Sequence, residues 1–163
     1  MSFKKNCQLL DASESNWDCY RVVSEFLMEF TDLDSVLDIG AGDGVQADIF
    51  VERGFRYFGL DMMEHDEWKI VSDKANFDIG FWPNIEKIPN TKVAISFFSI
   101  GQKKGENPVI DMDLVREQLL AIRRRFGYLF IAGWDEVINV AKELWPRCEE
   151  EDSFNGRVYF LHD

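Results

Sequence analysis

The chain has 163 residues, 46% of them hydrophobic and 14% aromatic, which is enough to bury one sizeable core and too little for two. Its 30 acids against 18 Lys plus Arg give a formal net charge of -12, which repels phosphate backbones and argues against nucleic acids and anionic membranes as partners. The three cysteines, Cys7, Cys19 and Cys148, follow no CxxC spacing, and no run approaches the roughly 18 apolar residues of a membrane span, so a soluble cytoplasmic protein is expected.

From the N-terminus, residues 16 to 30 place Val23, Phe26, Leu27 and Phe30 on one helical face, with Ser15 and Asp18 as a capping pair at the start. SVLDI, from Ser35, reads as a short buried strand. GVQADIFVERG follows as a helix closed by Gly54, and RYFGLD as a second strand. Residues 62 to 92 fit neither period well; a short helix or irregular stretch is expected first, then a strand near Ala75 to Ile79. KVAISFFSI is a doubly buried strand, and GQKKGENP a loop. Val115, Leu119, Ile122 and Phe126 form the stripe of a helix from Asp111 to Phe126. GYLFIAGW is another strand and EVINVAKELW a helix stopped by Pro146; RCEEEDSFNGRVYFLHD is a hairpin turning at Asn155-Gly156.

Strands alternating with helices, with unbroken apolar strand runs, predict an α/β fold with a mostly parallel sheet, helices on both faces and an antiparallel hairpin at one side. Residues 1–163 are expected to form one domain, with 1–34 an N-terminal segment and helix and 35–163 a ligand-binding core. Ligands of such sheets bind beyond the carboxyl ends of the strands, where strand order reverses. DIGAGDG lies at such an end. Its glycines Gly40, Gly42 and Gly44 allow a sharp strand-to-helix turn and close approach of a ligand to the backbone. Asp61 ends the next strand, seventeen residues after Gly44, where a carboxylate can accept from both hydroxyls of a ribose.

The dinucleotide fingerprint needs its third glycine one residue later, at the position of Val45. Asp38 and Asp43 place negative charge at the loop, which opposes a pyrophosphate and suits a ligand carrying an ammonium and a sulfonium. VLDIGAGDG, then GLDMM, then the DIG of Asp78 to Gly80 resemble a class I S-adenosylmethionine-dependent methyltransferase with its Rossmann-like seven-stranded sheet. The resemblance covers nearly the whole chain and implies S-adenosylmethionine as cofactor and a small molecule as methyl acceptor. It implies that Asp38, Gly40, Ala41, Gly42 and Gly44 hold the methionine end. By the same resemblance Asp61 takes the ribose, Met62 packs on the adenine, Asp78 with Ile79 accepts from the adenine amino group, and Ser96 and Phe97 line the cofactor.

No catalytic base stands out. His65 follows the second strand closely enough to reach the pocket, though a lone surface histidine is the favoured reading, and Asp135 reads as a helix N-cap. The family's amino-methylating members carry Asn/Asp-Pro-Pro-aromatic after the fourth strand; SFFSIG departs from that, which argues against DNA amino-methylation. Lys103 and Lys104 read as a solvated loop, and Arg123, Arg124 and Arg125 complement the dipole of the helix they end. Phe81, Trp82, Phe97, Phe98 and Trp134 fall near strand ends, either as an aromatic acceptor pocket or as plain core. Two rivals stay open: a methyltransferase-like partner or regulatory subunit that works with another protein, and an NAD(P)-dependent reductase.

Overall fold

The computed structural model describes residues 17–71, 73–85, 87, 89–102, 110–153 and 156–163. The readings made for Cys7, Ser15, Lys103, Lys104 and Asn155 lie outside these residues. In chain order the elements are α1 (Trp17–Leu27), β1 (Ser35–Ile39), α2 (Ala47–Glu52), β2 (Arg56–Asp61), a 3-10 turn (Asp66–Lys69) and β3 (Ala75–Ile79). They continue with β4 (Val93–Phe97), α3 (Met112–Arg125), β5 (Tyr128–Ala132), α4 (Asp135–Leu144), β6 (Arg147–Ser153) and β7 (Gly156–His162).

The strands form one sheet in the order β3-β2-β1-β4-β5-β7-β6. β1 to β5 are parallel neighbours, and β7 enters antiparallel between β5 and β6. The hairpin therefore contributes two strands, the later one inside the earlier. β1 and β4 are buried along their whole length, which is why both read as unbroken apolar runs. Alternate residues of these strands feed two apolar layers. Val36, Tyr57, Ile95 and Phe130 pack under α1 and α2 with Tyr20, Val23, Leu27 and Phe50. Leu37, Leu60, Ala94 and Leu129 pack under α3 and α4 with Val115, Leu119, Ile122 and Val140.

Several boundaries differ from the sequence reading, among them the end of β4 at Phe97 rather than Ile100. The expected first helix stops at Leu27, with Met28 to Phe30 in a turn, although Phe26 and Phe30 still pack on the core. The helix after the glycine loop starts only at Ala47, because Gly44 to Gln46 are held in turns. Trp134, not Asp135, occupies the N-cap of α4; Asp135 is the first helical residue, where its charge faces the positive end of the helix. Among the described residues no helix is long and apolar enough to cross a membrane.

Candidate functional site

The chain runs outward through β1, β2 and β3, then returns to place β4 on the other side of β1. At this reversal a cavity of about 190 Å³ opens beyond the strand ends. Ile39 ends β1 and Gly40 follows it, and Leu60 and Asp61 end β2 and Met62 follows them. Gly80, Phe81 and Trp82 follow β3, Phe97, Phe98 and Ser99 end β4, and Gln102 and Gln118 complete the wall. Among these described lining residues Asp61 is the one titratable group.

The glycine loop is stitched to its surroundings by its own backbone. Gly40 and Ala41 N–H both donate to the Leu60 carbonyl at 2.7 and 2.9 Å, Gly44 N–H to Ala41 at 3.2 Å, and Val45 N–H to the Asp43 side chain at 3.3 Å. Gly40 has φ +80°, and a Cβ there would fall 2.3 Å from the Ser99 Cβ. At Gly44, φ +75°, a Cβ would strike the Phe77 ring at 2.3 Å. Both glycines are thus required by backbone conformation and by the side chains pressed against the loop.

Asp61 anchors the loop from β2. Its Oδ2 accepts from the Gly42 N–H at 2.8 Å and its Oδ1 from the Met63 N–H at 3.3 Å. A carboxylate has about four acceptor positions, so both oxygens retain capacity toward the cavity that Asp61 lines. His65 Nε2 lies 3.5 Å from Oδ1 without a hydrogen bond among the described residues. The His65 ring stands 5.6 Å from that of Trp68, which in turn stacks on Phe77 at 4.9 Å and donates its Nε1–H to the Gly42 carbonyl at 2.9 Å. His65 is half-buried beside the site carboxylate, where the sequence suggested a solvated residue.

Asp38 is placed differently. It is fully buried and points away from the cavity, toward the layer under α1 and α2. Its Oδ1 accepts from the Tyr20 hydroxyl at 3.2 Å; its Oδ2 accepts from Gln46 Nε2 at 2.9 Å and from the Tyr57 hydroxyl. Burial pushes its carboxyl up to about 6, against the opposing pull of Tyr57, Gln46 and Tyr20. Burial, reinforced by the Asp38 charge, holds both tyrosine hydroxyls well above their ordinary range. Ala41 and Asp43 are buried in the loop beside it.

At the end of β4, Ser99 Oγ donates to the Ile39 carbonyl at 2.6 Å. Its single proton is then committed, so the 2.6 Å contact between Ser96 Oγ and Ser99 Oγ has Ser96 as donor. Ser96 is buried outside the cavity wall and holds Ser99, which ties the end of β4 to β1. Phe97 is buried, lines the cavity and packs 4.5 Å from Tyr20. Phe98 has φ +56°, the one positive value outside glycine among the described residues, and is 37% exposed. Its N–H donates to the Ala132 carbonyl at 2.9 Å and its carbonyl accepts from Gln102 Nε2 at 2.7 Å. Its ring meets Trp134 edge to face, with centroids 5.4 Å apart.

Gln118, on α3, was not singled out by any sequence signal. It is buried, its Nε2 donates to the Trp82 carbonyl at 2.8 Å, and its Oε1 accepts from the Gly101 N–H at 2.7 Å. Trp82 Nε1 returns a bond to the Gln118 carbonyl at 3.1 Å. The cavity floor is therefore fixed by a residue 36 positions away. Of the residues implied by resemblance, Gly40, Asp61, Met62 and Phe97 line the cavity. Gly42 stands behind Asp61, to which it donates its N–H. Asp78 and Ile79 lie exposed on edge strand β3, outside the cavity wall.

The seven-stranded sheet with β7 between β5 and β6, and a glycine loop and acid at the β1 and β2 ends, is the class I methyltransferase fold. The chain is similar to an O-methyltransferase family protein from Burkholderia thailandensis, with TM-score 0.63 and 9% identity over 99% of this chain and 63% of that one. It is similar to the N-methyltransferase NodS from Bradyrhizobium japonicum WM9, at 0.61 and 12% over 93% and 97%. Human N-acetylserotonin methyltransferase, solved in complex with SAM, matches at 0.64 and 10% over 99% and 56%. The chain thus spans less than two thirds of the Burkholderia and human proteins and nearly all of NodS. Neither a family model nor a curated protein matches the sequence.

Proposed function

We propose that this chain is an S-adenosylmethionine-dependent methyltransferase acting on a small-molecule acceptor. The observation that carries the reading is Asp61, a carboxylate on the cavity wall with acceptor capacity left after it has anchored the glycine loop. A second carboxylate, Asp38, raises the negative potential beneath the loop, which favours a cationic ligand. A pyrophosphate instead needs free N–H groups aimed at it. Here the amides of Gly40, Ala41, Gly42, Gly44 and Val45 all donate inside the protein, which weighs against a dinucleotide.

The residues present fit the cofactor. Asp61 would hold the ribose hydroxyls, Met62 and Phe81 would flank the adenine, and Gly40 with Phe97 would border the methionine arm. Bound S-adenosylmethionine supplies a methyl group on a sulfonium centre. The protein's share is to hold the acceptor atom in line with it against rigid walls, which converts an encounter into a positioned displacement. Calorimetric titration with S-adenosylmethionine, S-adenosylhomocysteine and NADH tests this: the adenosyl ligands are expected to bind and NADH not. Tight NADH binding without adenosyl-ligand binding would overturn it.

One observation favours a second reading, a methyltransferase-fold subunit completed by a partner protein. The described cavity wall offers Asp61 as its one titratable group, and its remaining capacity is assigned to the ribose, which leaves no side chain on that wall to serve as a base. Labelled methyl transfer to an acceptor by the purified chain alone would remove this alternative.

A further inference from the structure

Phe98 poses a physical question that core packing does not answer. A bulky residue at positive φ is a strained outlier, yet Phe98 is 37% exposed, so burial returns little for the strain. The backbone there is fixed from both sides, by Ala132 at the end of β5 and by Gln102. What that conformation achieves is to hold the ring at the cavity wall and against Trp134, the residue that caps α4. Trp134 is also 36% exposed, so the two rings together present an unusual aromatic surface to solvent at the ends of β4 and β5.

We infer that Phe98 and Trp134 are the acceptor-binding wall, and that the acceptor is a planar aromatic or heteroaromatic small molecule. This rests on the methyltransferase reading for the reaction, but not for the binding. The edge-to-face pair offers an incoming ring one aromatic face and one aromatic edge, the two geometries in which rings attract beyond simple burial. Phe98 belongs to the same wall as Asp61 and Phe97, so a ring resting on it is adjacent to the cofactor cavity. The net charge of -12 favours a free small molecule over a base carried on a nucleic acid strand.

The test uses 2-naphthol and its saturated counterpart decahydro-2-naphthol as probes. Binding to the full chain is followed by saturation-transfer NMR and calorimetry, with and without S-adenosylhomocysteine. Naphthol is expected to bind at least about tenfold more tightly than the saturated alcohol. Phe98→Leu and Trp134→Leu keep apolar bulk and remove the ring, and each is expected to weaken naphthol by about three- to tenfold. Circular dichroism confirms folding, and Phe98→Gly, which relieves the backbone, replaces Phe98→Leu if that variant is unfolded. Equal binding of the two probes, or unchanged naphthol affinity in both variants, overturns the inference. Failure of S-adenosylhomocysteine to bind overturns the cofactor reading instead; ring-dependent naphthol binding without it leaves the aromatic wall standing.

Discussion

Asp61 has two loads at the end of β2, a loop amide on one side and the cavity on the other. On the proposed cofactor reading, Asp61→Ala is expected to lose two charge-assisted hydrogen bonds to the ribose, roughly 1.5 to 3 kcal/mol each before water takes part of the load. With water taking that part, the net loss of about 2 to 4 kcal/mol corresponds to about thirtyfold to a thousandfold weaker S-adenosylhomocysteine binding by calorimetry. The freed Gly42 N–H adds a stability loss of about 1 to 2 kcal/mol. Asp61→Asn keeps an acceptor for that amide and gives up only the longer, exposed bond from the Met63 N–H, so it should retain most of the parent's thermal stability while still binding the cofactor poorly. Affinity within a factor of two of the parent in both variants would place the ribose elsewhere. Phe97 and Phe98 make a second contrast, side by side in sequence. Phe97→Ala empties a buried site and is expected to cost about 3 to 5 kcal/mol. Phe98→Gly relieves a left-handed backbone by about 1 to 2 kcal/mol, which offsets the half-exposed ring it removes, so urea unfolding should find it within about 1 kcal/mol of the parent.

At the scale of elements, α3 reaches the site through Gln118, which satisfies Trp82 and Gly101 at once. Gln118→Leu leaves both backbone groups buried and unpaired, at about 2 to 4 kcal/mol together, a fall of roughly 5 to 15 °C in melting temperature for a chain of this size. A fall under about 2 °C would show that the loop finds other partners. The helix itself was plain in the sequence, because Val115, Leu119, Ile122 and Phe126 all turn inward on one stripe. What Gln118 does there was not, since its partners lie 36 and 17 residues away and leave no local period. The same division runs through the sheet. β1, β4 and β5 announce themselves as apolar runs, whereas β3 is an edge strand with an exposed pattern, covered chiefly where Phe77 meets Trp68. In the site, the glycines and Asp61 were legible because strand-end chemistry is local. The sequestering of Asp38 was not, because Tyr20, Gln46 and Tyr57 arrive from three separate parts of the chain.

For the molecule as a whole, charge and burial set the response to pH. With 30 acids and a net charge of -12, self-repulsion eases as pH falls toward the pI of about 4.6. Asp38 adds a separate contribution in the same direction. Its folded value of about 6 lies above the ordinary 3.8, so the folded chain holds that proton more tightly than the unfolded chain. The penalty for its buried charge is complete above pH 6, shrinks as pH falls, and is gone below about pH 4. Between pH 7.5 and 5 this one group is expected to return about 1 to 1.5 kcal/mol of stability. Asp38→Asn cannot titrate, keeps an acceptor for Tyr57 and Gln46 while its amide N–H meets the Tyr20 oxygen, and leaves the surface charge in place. Urea unfolding of parent and variant at both pH values isolates the term: the parent should gain about 1 to 1.5 kcal/mol more than the variant on acidification. Equal gains would mean that the Tyr20, Gln46 and Tyr57 hydrogen bonds fully compensate the burial of the charge, and that the acidification response belongs to the surface alone.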